Sequence, residues 1–267
     1  GIVKNGIYSG KIENKEAGGP RARDGNGGIV GKNSGKIESC INEGVINGGY
    51  QTGGIVGFQN SSGTVSRCIN KGEFFDTFHT YNKGGIVGTN SGNSVVEYSY
   101  NLSNINFTHD SGHGGIAGEN NENAIIQYCF NKGNLSQTHY VLGGIAGGNY
   151  ATIKYCYNTG NIENSGNYAG GIAGLLYGND SAKICNSYNI GNISSIAGGG
   201  IAGGVSKGSI ENSFYLEKRV NGEDGPIIRG TYVKNDSEIK NISNALGNLF
   251  KKDTNNINNG YPILLWQ

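Results

Sequence analysis

Apolar residues recur along this chain in short bursts, never in long runs. The burst Gly27-Gly28-Ile29-Val30-Gly31 returns as Gly53-Gly54-Ile55-Val56-Gly57, and then around Ile86, Ile116, Ile145, Ile172 and Ile201. The steps between these isoleucines are 26, 31, 30, 29, 27 and 29 residues. Repetition at that period marks a stacked-repeat architecture. A second block follows each burst: Ile37 to Ile46, Val65 to Phe74, Val96 to Ile105, Ile126 to Leu135, Ile153 to Ile162 and Ile184 to Ile193. It reads Ile/Val, two variable residues, Cys/Ser, an aromatic residue or Ile, Asn, any residue, Gly or Ser, any residue, then an apolar residue. β-branched and aromatic residues alternate with polar ones, and no block is long enough for a stable helix, so strands are favoured. The pattern predicts about three short strands per repeat. Stacked at roughly 4.8 Å, they form parallel sheets around a common core. A β-propeller is the rival geometry, but four-stranded blades need about 40 residues. The predicted fold is all-β, a right-handed parallel β-helix of about eight coils.

Several columns then follow from the register. The Gly-Gly-Ile isoleucines form one inner ladder, and their glycines permit either close backbone approach or positive φ at a corner. Cys40, Cys68, Cys129 and Cys156 share a position that Ser99, Ser187 and Ser213 fill elsewhere, while Cys185 lies two residues before Ser187. A site accepting Cys or Ser wants a small buried side chain. Adjacent parallel side chains suit disulfide geometry poorly, so free thiols are expected. Asn42, Asn70, Asn101, Asn131, Asn158 and Asn189 form a third column, expected as a structural amide ladder at a turn.

The Gly-Gly-Ile-Ala/Val-Gly core followed by a Cys-Tyr-Asn-x-Gly segment resembles the GLUG repeat, over roughly residues 27–215. That family occurs in large secreted and wall-anchored bacterial proteins, including regions beside IgA-specific metallopeptidase domains. The resemblance implies an extracellular, β-helical, non-catalytic module and transfers no functional residues. Tyr215 replaces the ladder asparagine and marks the last coil. Residues 1–26 read as a degenerate first coil and polar loop, and 216–267 as a small α/β cap hiding the open sheet edges. In the cap, Asp236 to Phe250 reads as one helix with Asn235 and Glu238 as a capping box. Gly260 to Trp266 reads as a final strand, with Trp266 in a packing role. The Tyr-Pro-Ile-Leu-x-Trp-Gln ending at 261–267 is similar to endings of other repeat regions of this kind.

Composition narrows the functions. With 49 glycines, 3 prolines and no three-residue period, the chain is not collagen-like. Twenty-one basic and 20 acidic residues give a net charge of +1 without runs of either sign, which removes the footprint of a nucleic-acid binder. No apolar stretch is long enough to span a membrane. The start at Gly1, mid-pattern, and the lack of methionine read as an excised piece of a larger parent chain. No His-Glu-x-x-His, nucleophile elbow, phosphate loop or calcium nonapeptide is present. The seven aspartates never repeat at one place in successive copies, so catalysis is not expected and no cofactor is implied.

One coincidence remains in the loops before each glycine pair. His79, His109 and His139 stand four or five residues ahead of it, accompanied by Tyr50, Phe78, Tyr81, Phe107 and Tyr140. Stacked loops make these an exposed aromatic/His stripe, with His79, His109, His139, Tyr81, Phe107 and Tyr140 as candidate ligand contacts; the alternative is solvated loops packing on themselves. A metal site lacks a carboxylate beside the histidines. The expected function is a non-catalytic structural or adhesive module, secreted or on a bacterial surface, meeting a host glycan or matrix protein or serving as a stiff spacer between neighbouring domains. A polysaccharide-active β-helix enzyme is the alternative and needs clustered carboxylates on one face. An ice-binding array is a third reading, but the repeated Thr-x-Thr it requires is absent.

Overall fold

The structure of the protein, a computed structural model, describes residues 1–13, 25–75, 81–108, 112–178, 180–216, 220–221, 231–233 and 235–267. Each glycine burst opens a rung. In one rung the strands are Lys83–Gly84, Val87–Asn90, Val95–Glu97, Tyr100–Asn101 and Ile105–Phe107. Every one pairs in parallel with its equivalents a repeat away: Val87 with Val56 and Ala117, Val96 with Val65 and Ile126, Asn101 with Asn70 and Asn131. The columns hold eight, seven, nine and seven strands, and the column of Ile105 is divided into sheets of three and five. This is an all-β parallel solenoid. The Val96 column runs through Val3, Ile37, Val65, Val96, Ile126, Ile153, Ile184 and Ile210, which we number as rungs one to eight.

The expected three strands per repeat are in fact five. One extra break comes from a corner with no fixed turn residue: Ser39, Arg67, Tyr98, Tyr128, Tyr155, Asn186 and Asn212 all have φ between 45° and 56°. Left-handed backbone is uncommon away from glycine, and here it separates the first strand of the second block from the two that follow, as Val95–Glu97 from Tyr100–Asn101 and Ile105–Phe107. The corner also explains the Cys/Ser column that follows it. Across four of the rung-to-rung steps, the N–H just past the corner donates to the next rung's side chain. Cys40 N reaches Cys68 Sγ (3.5 Å), Cys68 N reaches Ser99 Oγ (3.0 Å), Cys156 N reaches Ser187 Oγ (3.1 Å) and Ser187 N reaches Ser213 Oγ (3.3 Å). Each thiol or hydroxyl in turn donates to the carbonyl two residues back, as Ser99 does to Glu97 (2.8 Å) and Cys129 to Gln127 (3.1 Å). The position demands a small group that both accepts and donates, which Ser and protonated Cys satisfy alike. Burial keeps the thiols protonated, pushing Cys68 up to about 12 and Cys129 well above its ordinary value. All five cysteines are free. Cys185 stands apart, half-buried and in register with Lys154 and Glu211.

The asparagine column is a continuous amide ladder. Nδ2 of Asn42, Asn70, Asn101, Asn131 and Asn158 each donates to Oδ1 of the next member, the last being Asn189, at 2.7–2.8 Å. The Oδ1 atoms also accept local backbone N–H groups, such as Gly44 onto Asn42 and Gly191 onto Asn189. Members of the column are buried, and this pairing is what makes burying an amide tolerable. In six of the seven bursts the second glycine lies against the ladder, while Gly200 meets the Tyr215 ring. A Cβ on Gly144 would stand 2.1 Å from the Gly171 carbonyl and 2.6 Å from Asn158 Cγ. None of these paired glycines has positive φ, so close approach, not a special dihedral, excludes a side chain. The inner isoleucines, the Val96 column and the cysteines form one apolar core.

At the C-terminal end the helix is Asp236–Lys240, much shorter than the 236–250 expected. Asn235 caps it by accepting from Glu238 N (2.9 Å), but the capping amide and Glu238 also bond side chain to side chain (3.0 Å). Turns follow, and Gly247 at φ +91° ends the helical periodicity, so Ile242 and Leu246 are buried from turns and Phe250 from a short strand. The final strand is Ile263–Leu264, antiparallel to Phe250–Lys251. The segment does not simply close the end. It runs back along the flank, over Tyr100, Phe130, Tyr157 and Tyr188, whose near-parallel rings lie 4.6, 4.9 and 5.1 Å apart. Phe250 meets Tyr188, the Tyr188 hydroxyl donates to Pro262 O, and Asn258 Nδ2 donates back to that hydroxyl (2.8 Å). Gln267 holds the Tyr157 hydroxyl, and Trp266 packs on Phe130, Tyr100 and Tyr98. Trp266 is therefore a packing residue, at the fourth and fifth rungs.

Candidate ligand-binding groove

The strands Val56–Gln59, Val87–Asn90, Ala117–Asn120, Ala146–Asn149 and Ala173–Leu176 turn alternate residues in and out. The inward set makes a second amide ladder: Asn33 Nδ2 donates to Gln59 Oε1 (2.8 Å), Gln59 Nε2 to Asn90 Oδ1 (3.0 Å), Asn90 Nδ2 to Asn120 Oδ1 and Asn120 Nδ2 to Asn149 Oδ1 (both 2.9 Å). The outward set is Phe58, Thr89, Glu119, Gly148 and Leu175, aligned by the register. These five form the floor of a groove along the solenoid.

Two adjoining depressions, of about 470 and 290 Å³, lie over this floor and share Tyr81, Asn82 and Glu119. Tyr50 and Tyr81 stack on one wall, with centroids 5.5 Å apart and planes at 24°. Tyr140 continues that line, and Tyr150 lies across the second depression with Tyr177 edge-on to it (5.5 Å, 78°). Gly148 leaves the room that the Tyr150 ring occupies, since a Cβ there would sit 3.0 Å from it. At the centre, Glu119 Oε2 accepts from Asn82 Nδ2 (2.6 Å) and Asn121 Nδ2 (3.0 Å). Asn82 is held by a left-handed backbone (φ 60°) and lies 3.2 Å from Thr89 Oγ1. Burial, then the charge of Glu119, pushes the Tyr150 hydroxyl above its ordinary range, so it remains a proton donor at neutral pH. Among the described residues, no three His, Cys, Asp or Glu side chains converge as a metal site would need.

The six residues singled out by sequence separate here. Tyr81 and Tyr140 come together as groove walls, 42% and 54% exposed. His139 is exposed on the turn before Tyr140, its Nδ1 2.8 Å from Thr138 Oγ1. His79 and His109 lie outside the described residues. Phe107 does not belong to an exposed stripe: strand alternation turns it inward, fully buried, with its ring stacked 4.4 Å from His113. Sequence reasoning missed Glu119, Asn82, Phe58 and Tyr150. A signal existed: in the seven-residue block Gly-Gly-Ile-Val/Ala-Gly-x-Asn/Gln, position x alone changes freely through the first five copies, as Lys32, Phe58, Thr89, Glu119 and Gly148.

Residues 138–163, one full repeat, match the family model described as the GLUG motif. The chain carries the GLUG motif. The match spans the burst at Gly143 and the Cys156-Tyr157-Asn158 corner, so the GLUG unit is a whole rung with its buried thiol and its ladder amide. A comparison with proteins of curated function finds no match. Among solved structures, a candidate immunoglobulin A1 protease from Bacteroides ovatus is similar, with 22% identity and a TM-score of 0.46, over 100% of this chain and 75% of that one. Among the described residues, no helix is long and apolar enough to cross a membrane.

Proposed function

We propose that this GLUG solenoid is a non-catalytic ligand-presenting module of a secreted or surface-exposed bacterial protein, a stiff shaft that offers the Glu119 groove to a host or matrix ligand. The observation that carries this reading is the division of labour within each strand. Inward amides and isoleucines hold the shaft, while the outward column varies and gathers aromatic faces around one amide-held carboxylate. A catalytic reading would need a second carboxylate facing Glu119; Glu122, the other acid in the lining, has one oxygen engaged by Gly92 N at 2.7 Å on the rim. The shaft also serves as a spacer to neighbouring domains of a longer chain, a role its continuous ladders suit.

The test presents the purified protein to a glycan array and to extracellular-matrix proteins, beside Tyr81→Ala and Tyr140→Ala. Binding by the native protein that both variants lose supports the reading. Absence of binding by the native protein leaves a spacer alone.

A further inference from the structure

We infer that the groove takes a linear oligosaccharide without anionic groups, lying along the solenoid axis, with Glu119 as its central hydrogen-bond acceptor. This rests on the ligand-presenting reading and adds the class of ligand. Shape is the first argument. The floor from Phe58 to Leu175 crosses four rung intervals, roughly 19 Å at about 4.8 Å per rung, and both depressions lie on that one line. An extended chain fits such a track; a compact ligand would leave most of it empty.

Chemistry is the second argument. The walls offer tyrosine faces, exposed at Tyr81 and Tyr140, on which the apolar face of a pyranose ring can lie. Between them stand amides and hydroxyls: Gln51, Asn82, Ser91 and Asn121. Glu119 has its Oε2 fixed by two amide donors, so the carboxylate is oriented before a ligand arrives, at no ordering cost on binding. Paired sugar hydroxyls are donors that match a fixed carboxylate.

Charge is the third argument. The described lining of both depressions contains Glu119 and Glu122 and no Lys or Arg. Sialylated, sulfated or uronic-acid chains would meet a like charge without compensation, which selects against them. A peptide is disfavoured for a different reason. The floor is the face of a sheet, not its edge, so no row of unpaired N–H and C=O groups is offered for strand addition.

The experiment is calorimetric titration with neutral β-linked oligosaccharides of increasing length, with the matching uronic-acid and deacetylated amino-sugar oligosaccharides, and with matrix proteins. Affinity for the neutral series should rise with length and then level off once the groove is filled. Tyr81→Ala and Tyr140→Ala should each weaken it about tenfold. Glu119→Gln should weaken binding less than Glu119→Ala, because the amide keeps one acceptor. Footprinting of the native protein guards against misfolded variants: bound oligosaccharide should protect Tyr81 and Tyr140 but leave Trp266, on the strapped flank, unchanged. Equal or tighter binding of the anionic series would overturn the inference while leaving the module reading intact; the cationic series, which meets Glu119 and Glu122, should bind at least as well as the neutral one. Binding of a matrix protein, with no sugar bound, would do the same. No ligand of any class would remove both.

Discussion

Two of the files of aromatic rings along this solenoid obey different rules. On the strapped flank, Tyr100, Phe130, Tyr157 and Tyr188 keep one spacing and planes within 8° of parallel. Tyr157 and Tyr188 are buried, and their hydroxyls are taken up by Gln267, Pro262 and Asn258. In the groove, Tyr50 and Tyr81 stand 24° apart, Tyr150 and Tyr177 at 78°, and Tyr140 is more than half exposed. The same side chain on the same repeating frame is thus a structural ladder where its own chain covers it and a contact surface where nothing of the described chain does. Regularity follows from burial: a covered file must stack at the rung spacing, whereas an open file is free to tilt toward a ligand.

The severest challenge to this contrast strikes the frame that both files share. Gly144→Ala places a Cβ against the Gly171 carbonyl and the Asn158 amide, neither of which can yield without breaking the ladder. A loss of about 3 kcal/mol or more is expected in urea unfolding, with both files lost together. Gly148→Ala is the matched control, since it meets the flexible rings and stems of Tyr150 and Glu119. Tyr157→Ala comes next. Truncating a fully buried ring should cost about 3–5 kcal/mol and free the strap, read as early proteolytic cleavage after residue 240. If the strap stays protected, the flank is not held by its rings.

A smaller effect is expected in alkali. Burial raises both Tyr157 and Tyr188, Tyr188 well above the ordinary tyrosine range. A folded pKa above the unfolded one means that their contribution is whole below the unfolded value, near 10, and is lost as pH climbs toward the folded value. Tyrosinate absorbance should therefore show these two ionising only together with loss of circular dichroism; independent ionisation would argue against a sealed flank. The smallest change belongs to the groove. Tyr81→Ala should alter stability by no more than about 0.5 kcal/mol, because the ring is an exposed contact and not a strut. A larger loss would erase the distinction between the two files.

What was legible in the sequence divides along the same line. The isoleucine, Cys/Ser and Asn42-to-Asn189 columns were readable because inward positions repeat in type, and the structure places them as expected. Even there, the second amide ladder of Asn33, Gln59, Asn90, Asn120 and Asn149 went unread, since Gln59 and the late Leu176 interrupt its identity. The left-handed corner escaped because Arg67, Tyr98 and Tyr128 carry no turn signal; stacking of Tyr98 on Tyr128 and of Arg67 on Tyr98 offsets the strain instead. The groove was half visible. Tyr81 and Tyr140 could be named from their loops, but Glu119 comes from a strand's variable position, and only register sets it between them. Phe107 misled because composition cannot distinguish an inward from an outward ring when the strand boundary is unknown.

The strap has a mechanical consequence. In a simple solenoid each rung touches only its neighbours, and a pull on one end loads the end rung first. Here a pull on Gln267 enters at the fourth to sixth rungs, through Trp266 and the Tyr157 hydroxyl, and must peel Trp266, Pro262 and Phe250 from the rings in turn before the last rung carries tension. Single-molecule stretching from that end should show a run of low-force peeling steps followed by rupture of the shaft, so that the tail behaves as a sacrificial tether that spares the rod beneath it.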